Sequence, residues 1–354
     1  MLWGLAINSG CASVGTPVFG GNNMASLFED VSCGAERIQN SVVYVGDVAL
    51  GVIRPATVEG ITQNQKYVLG GISGVVSVDS GGAREAKFAA LLKSNSILFG
   101  GESEIQEVQA LLNDEVSSRT ASYFCCIAKT CDEVIDAFKR IRSAKALIIG
   151  CGGIGSLTAL QLAGSGVQKI VLVDPDSVEL SNLNRQFMWS RKDVGSLKVE
   201  VLKQCILARF PHVDVEVCAN RVDDESLKEL TVGVDVALLS ADEPLGVAEV
   251  ELGRLASRDS FLALSCGYYH NRAAVKVLSS NCEQPKVETL EKVEWKRSPG
   301  FIGPSFGPMN VEISGVIAST AIHALAFPDS DPSPANESAK TLSWCPFERQ
   351  FSRL

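Results

Sequence analysis

The sequence has no Cys-x-x-Cys pair, only 3 histidines and no block of basic residues. The first absence bears on metal, because a closed zinc site takes four ligands and usually draws them from closely spaced pairs. The third bears on partners. Acidic residues are spread along a chain of net charge −9, so nucleic acid or an anionic membrane meets no electrostatic footprint. No run of 18 apolar residues occurs, and no transmembrane helix is expected. No basic residue precedes Arg37, and the opening MLWGLAINSGC is too short and interrupted for a secretory signal. Disulfides are not expected either. The cysteines number 11, two of them adjacent (Cys125 and Cys126), and Cys151 stands among glycines. That usage fits a reducing compartment, and a cytoplasmic location is expected.

What is present is a folding composition. Of 354 residues, 46% are hydrophobic and 21% charged, which excludes a disordered or fibrous chain. At ~100–200 residues per domain, two domains are expected. Residues 1–40 are rich in glycine and asparagine and carry little pattern. SVVYVGDVALGVI then reads as two strands about a Gly-Asp turn, and KYVLGGISGVVSV as glycine-broken strand. AREAKFAALLK places Phe88, Leu91 and Leu92 on one helical face, and SEIQEVQALL places Ile105, Val108, Leu111 and Leu112 on another. Together they predict a small α+β module over about 41–115. CDEVIDAFKRIRSAK is a further helix. The expected division is 1–120 for the N-terminal region and 121–354 for the second domain.

From Ala146 strands and helices alternate. ALIIG, KIVLVD, VDVEVC, DVALLS and FLALSC are short apolar strands, and most are separated by helical stretches. This pattern predicts a doubly wound, mainly parallel sheet covered on both faces. A polar stretch (280–308), a long helix (about 309–327) and an irregular tail complete it.

Gly150, Gly152 and Gly155 of GCGGIG have G-x-G-x-x-G spacing between a strand and a helix, with Gly153 beside them. Such a turn lets backbone N–H groups approach a phosphate at a helix N-terminus. Asp174 ends the following strand, where an acid can bond ribose hydroxyls. So far a dehydrogenase and an ATP-using enzyme are both allowed. The text after Asp174 separates them. DPDSVELSNLNRQF offers Asp176, Asn184, Arg185 and Gln186, and Lys198 opens the next helix. Hydride transfer needs no such polar run. An enzyme that splits a triphosphate must screen the phosphates before an anionic carboxylate can approach. Arg185 supplies a fork of donors and Lys198 a point charge. Asp242, in SADEP just past a strand end, could hold Mg²⁺.

GCGGIG, DPDSVELSNLNRQF, DVGSLK and SADEP together resemble the ThiF- and MoeB-type adenylyltransferases of the ubiquitin-activating superfamily, over about 145–280. The resemblance implies a Rossmann-like ThiF-type fold and an ATP- and Mg²⁺-dependent activator of carboxylates, built as a homodimer. It assigns Asp174 to the ribose, Arg185 and Lys198 to the phosphates, Asn184 to the nucleotide or phosphate, and Asp242 to the metal. A narrower similarity of LLSADEPL, LALSCGYYHNRAAV and FGPMNVEISGVIASTAIHALAF is to the MccB-like, peptide-modifying subgroup. In that subgroup a small N-terminal domain, winged-helix-like, clamps the leader of a precursor peptide.

The sequence departs from the family in three places. Cys282 and Cys345 stand alone where relatives carry Cys-x-x-Cys pairs, and neither His270 nor His323 completes a set, so no zinc is expected. Trp344 and Phe347 are candidates to hold the tail by packing instead. SSRTASYF aligns loosely with a segment that reaches the partner subunit's ATP. It offers Arg119 as a ligand, but the stretch reads more readily as a solvated linker. Cys151 and Cys266 are the candidate nucleophiles by position, although buried cysteines are usually inert.

Three functions follow from these expectations. The first is activation of carboxylates, glutamate side chains foremost, in a ribosomally made precursor peptide, by adenylation or phosphorylation. Cyclisation, dehydration and decarboxylation of a pantocin A-type antibiotic would follow. The second is transfer of AMP to a peptide C-terminus, or adenylation of a ubiquitin-fold sulfur carrier. The third is a non-catalytic binding module that has kept the nucleotide fold.

Overall fold

The computed structural model describes residues 36–39, 41–80, 82–241, 247–269, 272–279, 305–328 and 341–345. Cys282, His270 and Phe347 lie outside them, as does Asp242. The chain divides into two compact units between Ile105 and Gln106.

The first unit contains β1 (Glu36–Gln39), β2 (Val42–Val45), β3 (Val48–Ile53), β4 (Val58–Ile61), β5 (Lys66–Gly71), β6 (Gly74–Asp79), α1 (Ala83–Lys93) and β7 (Ile97–Phe99). Two antiparallel sheets form, in orders β1-β2-β3-β7 and β4-β5-β6. The Gly-Asp turn is a two-residue hairpin loop with Val45 paired to Val48. Gly46 has φ +61° there, the left-handed first position that such loops ask of glycine. Val43, Leu69, Phe88, Leu91 and Ile97 form the core of this unit, with Leu92 packed on it. The boundary with the second unit falls inside α2 (Glu102–Asn113).

The second unit runs α3 (Ser118–Ile127), α4 (Cys131–Ser143), β8 (Lys145–Ile149), α5 (Gly155–Ser165), β9 (Lys169–Val173), α6 (Lys198–Leu207), β10 (Asp214–Cys218), α7 (Asp224–Leu230), β11 (Val236–Leu239), α8 (Val247–Asp259), β12 (Leu262–Tyr269), β13 (Arg272–Leu278), α9 (Gly307–Ala326) and β14 (Thr341–Trp344). Its seven-stranded sheet has the order β10-β9-β8-β11-β12-β13-β14. The first five strands are parallel; β13 and β14 join antiparallel. In β8, β9 and β11 almost every residue is buried, as continuous apolar runs covered on both faces require. The strand order reverses between β8 and β11. In such sheets the crevice at the carboxyl ends of the reversing strands receives ligands.

Three features depart from the sequence expectation. The linker-like stretch around Arg119 is helix α3. The tail expected to be irregular contributes β14, in register with β13 from Ala273↔Trp344 to Lys276↔Thr341. α7 is an additional helix, capped at Asp223, whose carboxylate accepts from the Ser226 amide. Finally, α9 is long and apolar enough to cross a membrane by length and composition alone. Here it is a core helix, packed against α4, α5, β12 and β13 with Ile313, Ile317 and Ala321 buried.

Candidate active site

The glycine turn after β8 is held from three sides. The Gly150 amide donates to the Val173 carbonyl (2.8 Å) and the Ser240 amide to Ile149 (2.9 Å), so β9 and β11 clamp its start. Ser240 Oγ then donates to the Gly150 carbonyl (2.8 Å). Each glycine of the turn has a different neighbour. Gly150 has φ +89°, and a Cβ there would stand 2.7 Å from the Ala241 amide nitrogen. At Gly155 a Cβ would run into the Gly150 carbonyl oxygen, so this glycine sets the approach of α5 to the strand. At Gly153 it would strike the Asn310 side chain from the first turn of α9. Gly152 alone faces open space, with only Gln186 Nε2 within 4 Å, at 3.7 Å. The amides of residues 152–155 make no hydrogen bond with the described residues. Such amides at a helix N-terminus form a cradle suited to phosphate oxygens like those of ATP, open among the described residues at Gly152.

Asp174, at the tip of β9, is 5% exposed. Its Oδ2 accepts from the Cys151 amide (2.7 Å) and its Oδ1 from the Asp176 amide (2.8 Å). The carboxylate is thereby fixed beside the turn with lone pairs to spare for hydroxyl donors. Lys198, the first residue of α6, is also buried. Its Nζ lies 2.8 Å from Asp176 Oδ2 and 3.9 Å from Asp174 Oδ1. The Lys198 amide donates to the Asp176 carbonyl (3.0 Å), and the Ser177–Leu197 bridge closes the strap between them. A lysine, two aspartates and the glycine turn are therefore one connected group.

The asparagine-rich segment lies on the other side. Arg185 Nη1 donates to the Ser181 carbonyl (2.6 Å) and to Asn184 Oδ1 (3.0 Å). Asn184 is exposed. The buried asparagine is its neighbour Asn182, whose Oδ1 accepts from the Glu179 amide (3.1 Å) and so holds the turn. Asn310 Nδ2 donates to the Arg185 carbonyl (3.1 Å), and Gly307 lies under the Phe187 ring. Gln186 Oε1 accepts from Trp189 Nε1 (2.7 Å).

The structure thus brings together Gly150, Gly152, Gly153, Gly155, Asp174, Asp176, Lys198 and Gln186; Arg185 adjoins the turn through its carbonyl, while its guanidinium and Asn184 bond each other. Arg119 is exposed on the first turn of α3, apart from this group of contacts. Ser240, Asn310, Asn182 and Trp189 support the site without having been singled out from sequence. The signal for Ser240 was at hand, since it directly precedes Ala241 and Asp242 at a strand end. Among the described residues no three His, Cys, Asp or Glu side chains form a metal-binding group.

Neither candidate thiol is activated. Burial, and then the Asp174 charge, hold Cys151 well above the ordinary thiol range. Burial, with Glu249 adding to it, pushes Cys266 up to about 12. Thiolate is the nucleophilic form, and both sites disfavour it.

The pattern that defines the ThiF family matches residues 130–343. Over 183 residues the chain is 30% identical to the sulfur carrier protein ThiS adenylyltransferase of Escherichia coli K12, covering 50% of this chain and 72% of that protein. A probable molybdopterin-synthase adenylyltransferase of Gracilaria tenuistipitata is 36% identical over 104 residues, or 29% of each chain. The adenylyltransferase and sulfurtransferase uba4 of Aspergillus fumigatus is 30% identical over 210 residues, which is 54% of this chain and 42% of that one. The match therefore spans less than half the length of the last two. Among solved structures, E. coli MccB with ATP superposes with a TM-score of 0.57 at 22% identity, over 77% of this chain and 88% of MccB. PaaA superposes with a TM-score of 0.56 at 19% identity, over 77% and 91%. At these identities the likeness is one of fold.

Proposed function

The chain belongs to the ThiF family, and from that premise we propose that it adenylates carboxylates of a ribosomally made precursor peptide with ATP. The observation that carries the ATP half is the cradle: amides of residues 152–155, unpaired among the described residues, at a turn open at Gly152, next to an anchored Asp174 and a buried Lys198. In this reading Asp174 takes the ribose hydroxyls and the turn amides take phosphate oxygens. Arg185 and Lys198 neutralise charge that builds during transfer. A peptide carboxylate oxygen attacks the α-phosphorus, the bond from that phosphorus to the bridging oxygen breaks, and pyrophosphate leaves. The product is an acyl adenylate, whose AMP a nucleophile of the same peptide can displace. Holding both partners on one enzyme makes that second step effectively unimolecular. Mg²⁺, expected at Asp242, belongs to the proposal but carries none of these steps, and so does Arg119 supplied across a homodimer in the cytoplasm.

The peptide half rests on fold likeness to MccB and PaaA over 77% of the chain. The first unit is proposed to hold the leader. The product is proposed to be of the pantocin A type, formed by glutamate activation, cyclisation and loss of water and CO₂. A second reading has its own support in the ThiS adenylyltransferase match. There the substrate is the C-terminus of a ubiquitin-fold sulfur carrier.

The test incubates the chain with ATP, Mg²⁺ and a short peptide encoded beside its gene, then measures nucleotide products and peptide mass. AMP with loss of water mass, with or without CO₂, supports the first reading, and ADP would mean an acyl phosphate instead. A stable peptide product heavier by AMP at its C-terminal residue means terminal transfer. Turnover only with a ubiquitin-like protein ending in Gly-Gly supports the second reading. Nucleotide turnover with none of these partners overturns both.

A further inference from the structure

Gln186 and Trp189 form a buried pair at the open side of the glycine turn, each about 7% exposed. The Gln186 amide is anchored to the Asn182 carbonyl (2.9 Å), which fixes where its side chain begins. Trp189 Nε1 then reaches Gln186 Oε1 at 2.7 Å. An indole N–H is a donor only, and a primary amide has one accepting end and one donating end. The tryptophan therefore fixes which way round the amide sits, with the oxygen toward the indole and the –NH₂ away from it. That –NH₂ faces Gly152, 3.7 Å from where a Cβ would stand, and makes no hydrogen bond with the described residues. The donating end of the amide thus lies beside Gly152, where the described residues leave the turn open. A free amide would present oxygen there half the time, and oxygen repels phosphate oxygens.

We infer that Gln186 donates to an anionic oxygen of the ligand at Gly152, and that Trp189 is the positioning residue that holds the amide in its donating sense. The inference rests on the nucleotide reading of the turn. A donor set in place before the ligand arrives requires no reorganisation on binding. Trp189 itself touches no ligand and acts only through Gln186.

The test is a double-substitution cycle read by direct titration of the full chain with ATP and with a non-hydrolysable ATP analogue. Trp189→Phe keeps a packed ring and removes the N–H. It is expected to weaken binding ~3–10-fold, the worth of about one hydrogen bond. Gln186→Ala is expected to weaken binding by at least as much. In the Gln186→Ala background Trp189→Phe should have no further effect. Equal losses in both backgrounds would overturn the inference, since a merely structural tryptophan acts whether or not Gln186 is present. Gln186→Glu covers the case in which Trp189→Phe fails to fold. Its carboxylate still accepts from the indole but offers only acceptors to the ligand, and binding should fall more than 10-fold. Unchanged binding in Gln186→Glu overturns the inference too. If the unaltered chain binds no ATP, the nucleotide reading falls and this inference with it; if it binds ATP and the cycle is additive, only the inference falls.

Discussion

Lys198 Nζ sits 2.8 Å from the carboxylate of Asp176, with Asp174 3.9 Å away on its other side. The lysine is buried and the Asp176 side chain is 59% exposed, so the charge is held from the solvent side by a group able to swing away. In the unliganded chain this pairing satisfies a cation that would otherwise be costly to bury. A triphosphate entering the cradle offers the same cation an alternative anion.

Lys198→Ala should therefore cost catalysis more than folding. The expected loss of turnover is about 100-fold or more, the usual scale for removing one charged contact to a transition state. Circular dichroism should remain that of a folded α/β protein. Turnover within a few-fold of the unaltered chain would remove Lys198 from the mechanism.

Two glycines three residues apart should fail in different ways. Gly155→Ala drives a methyl into the Gly150 carbonyl, and overpacking of this kind costs about 1–3 kcal/mol, read as a lower midpoint in urea. Gly152→Ala meets nothing nearer than Gln186 Nε2, at 3.7 Å, among the described residues. It should unfold at the normal midpoint while ATP affinity drops about tenfold or more, because the methyl occupies the ligand's approach. The opposite assignment of effects would contradict the roles given to both residues.

The two suppressed thiols predict a pH dependence of stability. Their folded pKa values are raised, Cys266 to about 12. Below the ordinary thiol value of about 8.5 both folded and unfolded chains are protonated and nothing changes. Above it the unfolded chain ionises first, so stability falls as pH rises from about 8.5 toward the folded values. Urea titrations between pH 8 and 10 should show this decline, and Cys266→Ala should flatten it. Cys151→Ala should keep turnover, since that thiol is no nucleophile. Abolished turnover in a folded variant would reverse that conclusion.

β14 is joined to α9 by a side-chain hydrogen bond. Trp344 Nε1 donates to Glu312 Oε1 at 2.6 Å, joining β14 to α9. Trp344→Phe should destabilise the second unit by about 1 kcal/mol, while a chelator should leave the unfolding midpoint unchanged. A large shift on chelation would establish a structural metal.

The second unit was readable because its strands are buried on both faces and so appear as apolar runs between amphipathic helices. α7 was missed because a short polar helix, DESLKEL, buries only Leu227 and shows no period. β14 was missed because an edge strand with exposed Thr341, Leu342 and Ser343 carries no burial pattern. In the site, residues contiguous with the turn or the β9 tip were legible. Ser240 and Asn310 reach the turn from about 90 and 160 residues downstream, and no local spacing marks them. The choice between Asn182 and Asn184 depends on the register of one tight turn, in which Asn182 faces inward and Asn184 faces the guanidinium of Arg185.

Three of the side-chain contacts along α9 connect distant parts of the second unit. Asn310 lies against Gly153 and bonds the Arg185 carbonyl, Glu312 receives the indole of β14, and Arg140 of α4 bonds the Ala326 carbonyl at the far end (2.6 and 3.0 Å). One helix thus links the glycine turn to the β14 edge of the sheet. Ligand that stiffens the glycine turn should thus slow amide exchange in Thr341–Trp344. Conversely, damage to that edge strand should register as looser nucleotide binding far upstream in the chain.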